Sequence, residues 1–160
     1  MLRFIPMLLV AAPAAADLTV TFRDGAPKDR FVITADGACP VAGGTLSIDI
    51  GAAPSGLIFD TTGTGAGVEV FQPFELTAGA DLLSALPVIA DGDTQIDLPI
   101  TNLAPGDRVS FTIDVDDTTS ARQITVDGSE MAGALIRFDG RSATFDATGT
   151  ARLALPDCLS

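Results

Sequence analysis

The stretch "FTIDVDDT", residues 111–118, alternates with a period of two. Phe111, Ile113 and Val115 fall on one face; Thr112, Asp114 and Asp116 fall on the other, and Asp117 follows at once. Side chains that alternate in this way belong to a strand with one apolar and one wet face. The same pattern, rich in Val, Ile, Thr and Phe, predicts strands over 18–23, 30–34, 45–50, 56–60, 68–74, 94–100, 108–115, 122–127, 133–139, 142–147 and 150–155. Turn-forming segments separate them, among them "RDGAPKD", "GAAPSG", "ADGD", "LAPGD", "VDGSE" and "FDGRS". The segment "AGADLLSALP", 78–87, has room for one helical turn. Short strands at this spacing predict an all-β chain: a β-sandwich of immunoglobulin/fibronectin-like or jelly-roll-like type, with about 9–11 strands. The "TNLAPGDRVSFTIDV" corner suits a crossing between the two sheets of a fibronectin-type sandwich.

The first residues break the pattern. "MLRFIPMLLVAAPAAAD" has a positive start at Arg3, an apolar run from Phe4 to Ala12 and small residues before Asp17. That layout predicts a secretory signal peptide over 1–16, cleaved after Ala16, and a single domain over 17–160. The apolar run is shorter than the about 20 residues that span a bilayer. The expected location is therefore periplasmic or extracellular, with no membrane insertion once the signal is removed.

Charge narrows the partners. Nine Lys and Arg stand against 21 Asp and Glu, for a net charge of −12, and Lys28 is the one lysine. Such a chain repels phosphate backbones, so nucleic acid is excluded as a partner. Cations, basic surfaces, and envelope or extracellular proteins or polysaccharides remain as partners. The two cysteines, Cys39 and Cys158, in an oxidising compartment predict one internal disulfide. A bridge closing about 120 residues contributes on the order of 4–5 kcal/mol in the chain-entropy model.

Several chemistries are missing. The chain contains no His, Trp or Tyr, which removes the common general base at neutral pH and the Ser-His and Cys-His nucleophiles, and weakens the case for sugars stacking on an aromatic platform. "GTGAG", 63–67, has neither the spacing nor the helix of a nucleotide-binding loop and reads as a flexible hairpin tip. Acids are abundant near turns in three places: Asp60 and Glu69 around "FDTTGTGAGVEV", Asp91, Asp93 and Asp97 in "ADGDTQID", and Asp114, Asp116 and Asp117 in "IDVDDT". Oxygen donors at such spacing suit calcium, which takes six to eight of them, although no EF-hand pattern is present. Solvated acids, turn formers or partners of Arg108, Arg122 and Arg137 are the competing explanation.

At "GLIFDTTGTGAGVEVFQPFEL" and "LAPGDRVSFTIDVDDT" the chain resembles small exported bacterial proteins named for similarity to the aggregation-factor core. The matching residues are Asp60, Gly67, Glu69, Asp114, Asp116 and Asp117. The resemblance implies extracellular, calcium-assisted adhesion and no catalytic set. The expected function is a non-enzymatic, calcium-stabilised binding or adhesion module, with Asp114, Asp116, Asp117, Asp60 and Glu69 as candidate ligands. The alternatives are a metal-free structural or accessory protein of the cell envelope and, third, a carboxylate-based hydrolase.

The disulfide has a direct test. Thiol labelling of the native, unreduced protein is expected to modify neither Cys39 nor Cys158, and labelling of both would remove the bridge from the picture.

Overall fold

Period-two alternation becomes antiparallel pairing in the strands of both sheets. The computed structural model describes residues 15–25, 28–67, 71–119 and 125–157. Among them are ten strands: β1 (Ala15–Arg23), β2 (Asp29–Ala35), β3 (Gly44–Asp49), β4 (Leu57–Asp60), β5 (Glu75–Ala78), β6 (Gln95–Ile100), β7 (Arg108–Asp117), β8 (Leu135–Phe138), β9 (Arg141–Thr144) and β10 (Thr150–Asp157). One 3₁₀ turn, Ala80–Leu82, occupies the segment expected to hold a helical turn. The chain is all-β, with two antiparallel sheets arranged as a β-sandwich type. The first sheet runs β10-β1-β2-β7-β4, with β5 also on β7, and the second runs β6-β3-β8-β9.

The apolar faces of both sheets meet in one cluster. Leu18, Val20, Phe31, Ile33 and Phe111 enter it from the first sheet, and Leu46, Ile48, Ile96, Leu98 and Ile136 from the second. Phe31 lies at its centre, stacked on Phe111 with ring centroids 5.0 Å apart and edge-on to Phe22 at 5.2 Å. The β8–β9 hairpin turns on Asp139 and Gly140, both at positive φ (48° and 71°). An Asp-Gly pair suits a two-residue turn of this kind, because glycine takes positive φ freely and Asp tolerates it.

Two expected strands end differently. Of 68–74, residues 68–70 lie outside the described ones and 71–74 form no strand; pairing resumes at β5. Pro73 has no N–H to give a ladder, so the return to β7 comes after it. Of 122–127, residues 122–124 lie outside the described ones, and Thr125, Val126 and Asp127 form no strand. There Asp127 opens a turn instead. Its Oδ1 accepts the N–H groups of Ser129 and Glu130 at 2.7 and 3.2 Å, and Glu130 accepts the Asp127 N–H at 2.9 Å. This reciprocal box is local and outcompetes strand pairing.

β1 begins at Ala15, and residues 1–14 of the expected signal lie outside the described residues. Cys39 is buried in the turn after β2, and Cys158 lies outside the described residues. β10 ends at Asp157, opposite Ala15, on the same side of the sheet as that turn, where the Asp36 N–H bonds the Asp17 carbonyl.

Phe31 contributes no solvent-exposed surface and touches three other rings. Phe31→Ala is expected to lower unfolding stability by roughly 3–5 kcal/mol, read from urea denaturation.

Candidate metal centre

β7 is long enough to serve several neighbours. Its first half pairs with β2 on one flank and β5 on the other. Its second half pairs with β4, setting Asp60 opposite Asp114 and Ile58 opposite Asp116. Strand alternation then puts Asp60, Asp114 and Asp116 on one face, away from the core face that carries Phe59 and Val115. One carboxylate oxygen from each of the three lies within 4.8 Å of the others. Such a group could hold a metal ion.

The expected wet face is not wet. Asp60 has 0% of its surface exposed and Asp116 3%, while Asp114 is half-buried. The cover is the chain after β4. It leaves at Asp60 and returns at Gln72, whose N–H bonds the Asp60 carbonyl and whose carbonyl accepts the Asp114 N–H. Residues 61–67 are the described part of the loop between these ends. Gly67 of this loop lies directly on the acids: a Cβ there would stand 2.5 Å from Asp116 Oδ2 and nearer still to the Asp60 carboxylate. Only glycine allows the backbone so close.

Three backbone N–H groups of this glycine-rich segment are tied to one side chain. Asp91 holds it: Oδ1 accepts the N–H groups of Thr61 at 2.9 Å and Thr62 at 3.1 Å, and Oδ2 accepts that of Ala66 at 2.7 Å. Those bonds, Ala66 and Thr61 foremost, pull the Asp91 carboxyl down to about 2. Asp60 is the opposite case. No donor makes a well-formed hydrogen bond to either of its oxygens, although the Asp91 carboxyl and the Thr62 N–H lie beside it. Burial first, then the Asp91 and Asp116 acids beside it, push its carboxyl up to about 6. Burial and the charges of Asp116 and Asp60 push Asp114 up to about 7.

The remaining candidates separate. Asp117 lies outside the convergent group: alternation turns it to the other face of β7, and its Oδ1 accepts the Thr119 N–H at 3.1 Å. Glu69 and Arg122 lie outside the described residues. Asp93 Oδ2 caps its own turn through the Ala90 N–H at 2.7 Å, and Asp97 bonds Ser47 Oγ at 2.6 Å. Arg137 pairs with Asp49 at 3.0 Å. Turn formation and local pairing therefore account for these acids.

Sequence reasoning missed Asp29. It is 3% exposed and takes the Val115 N–H at 3.0 Å and the Gly25 N–H at 3.1 Å. Its carboxylate extends the β2 edge where the strand itself has ended. Burial raises it to about 7 against those two bonds. The signal available in the sequence was a lone Asp between Lys28 and Arg30, which reads as surface.

Comparison with protein-family models, with curated proteins and with solved structures found no match.

The raised acids fix the sign of the pH response of the metal-free chain. Asp29, Asp60 and Asp114 hold protons in the folded state well above the ordinary value of 3.8. Their protonated forms favour folding below that value, and the advantage is lost as pH rises through about 6 to 7. The lowered acids Asp91, Asp127 and Asp146 act in the other direction, below the same ordinary value. In chelator, the melting temperature is expected to fall between about pH 4.5 and 7.5, measured by circular dichroism. A flat or rising curve there would contradict the burial of these acids.

Proposed function

We propose that this chain is an exported, acidic β-sandwich module for binding or adhesion, stabilised by one calcium ion held by Asp60, Asp114 and Asp116. The observation that carries the reading is Asp60. It is a carboxylate with no exposed surface and no well-formed hydrogen bond, facing two further carboxylates within 4.8 Å and a third acid, Asp91, beside it. A buried charge in that state is costly unless a counter-charge meets it. The donors are all hard oxygens, which suit calcium or magnesium over zinc or copper. Three carboxylates and a closely applied backbone loop favour the larger ion, because calcium accepts up to eight oxygens in flexible geometry. The acidic surface and the resemblance to aggregation-factor-core proteins support an extracellular binding role in which the ion braces the loop.

A metal-free accessory protein of the envelope draws on the same acids. A proton retained by Asp60 or Asp114 relieves part of the same repulsion. The hydrolase reading has less support, since Asp60 has no solvent contact and a general acid must reach its substrate.

Calcium and proton make different predictions at about pH 7.5. Calcium at a hundredfold excess over its dissociation constant is expected to stabilise the fold by about 2.7 kcal/mol, read as a rise in melting temperature over chelator. Asp60→Asn is expected to melt higher than wild type in chelator, because it removes a buried charge, and to lose the calcium response. Asp117→Asn is expected to keep that response. Identical wild-type melting curves in calcium and chelator would leave the metal-free reading.

A further inference from the structure

The route to the acids is closed from one side. Asp114 meets solvent, but Asp60 lies wholly beneath the 61–67 loop, with Gly67 against its carboxylate. An ion can gain Asp114 first, yet it gains Asp60 only when the loop lifts. Glycines at 63, 65 and 67 give its backbone freedom, and its three N–H bonds to a side chain converge on the single carboxylate of Asp91.

The residues flanking Asp91 are anchored to the strand that carries Asp60. The Gly92 N–H bonds the Phe59 carbonyl at 2.9 Å, and the Phe59 N–H bonds the Asp93 carbonyl at 2.8 Å. The holding group is thus fixed to β4 while the held segment is loop. Gly65 approaches the Asp91 carboxylate so closely that any Cβ would overlap it, and Gly63 packs against the half-exposed ring of Phe71.

We infer that the 61–67 loop is a gate over the Asp60–Asp114–Asp116 site and that Asp91, outside the ligand set, is its latch. This inference rests on the cation reading above and adds its regulation: the ion leaves at the rate at which the latch opens. By linkage, a bound ion must in turn hold the loop shut. Asp91 is a positioning residue: it acts on the loop through the backbone of Thr61, Thr62 and Ala66, and its carboxyl also stands against that of Asp60, so the exchange of the three amides reads the latch apart from that direct contact.

The test is calcium release from the whole chain, loaded with calcium and mixed in stopped flow with a fluorescent chelator. Asp91→Ala is expected to release calcium at least about tenfold faster, as the loss of one hydrogen bond to a charged group already allows. Asp91→Asn keeps one oxygen acceptor and should fall between Asp91→Ala and wild type. Asp97→Asn removes an acid that bonds Ser47 and Gln95 and makes no bond to the loop or the latch, and should stay within about twofold of wild type. Wild type alone supplies a second measurement, which stands even if Asp91→Ala fails to fold. Amide exchange at Thr61, Thr62 and Ala66 should slow about tenfold or more when calcium is added. Equal release rates for wild type and Asp91→Asn, or exchange indifferent to calcium, would overturn the gate while leaving the ion in place. A wild-type chain that takes up no calcium would overturn the cation reading, and the gate with it.

Discussion

Repulsion among carboxylates largely shielded from solvent is the constraint around which this end of the molecule is organised. Asp60, Asp114 and Asp116 bring three oxygens within 4.8 Å of one another, and two of the three residues are buried. At such distances, and away from bulk water, like charges repel far more strongly than they would on an open surface. The structure answers in part with protons, through the raised acids, and the geometry leaves room for a cation to do the rest. The packing of the sandwich core does not require this arrangement, since the acids stand on the opposite face of β7 from Phe111, Ile113 and Val115.

Two aspartates far apart in the chain and side by side in the fold show how environment alone sets their roles. Asp91 is wrapped by three backbone N–H groups and is held at about 2. Asp60 receives no well-formed hydrogen bond and, buried beside two other acids, rises to about 6. The same loop causes both effects: its N–H groups point at Asp91, while its Gly67 backbone seals Asp60. One acid thus organises the cover, and the other is left beneath it with an unmet need for positive charge. Asp29 makes a third case on the far flank of β7, where burial outweighs two backbone hydrogen bonds and the acid completes a strand edge.

Much of the fold was legible because it depends on short-range patterns. Alternation over 108–115 and 30–34 set β7 and β2 with their core faces correctly, and the Asp-Gly pair at 139–140 fixed the hairpin between β8 and β9. Even the shared face of Asp114 and Asp116 follows from a strand's two-residue period. The segments at 71–74 and 125–127 were misleading because their local chemistry, a proline in one and an Asp-Glu turn box in the other, opposes pairing that hydropathy alone would allow.

What the sequence determined by itself was therefore the class of fold, the faces of its strands and the surplus of oxygen ligands. Which acids meet was decided only by tertiary structure. Asp60 lies opposite Asp114 because β4 and β7 take one register, across more than 50 residues of intervening chain. Asp117, one residue beyond Asp116, is turned away by the same alternation. The wet face became a buried one because the 61–67 loop folded back over it, held by a carboxylate at position 91 that no local pattern connects to position 61. Periodicity encodes which way a side chain points; it does not encode what will later be laid on top of it.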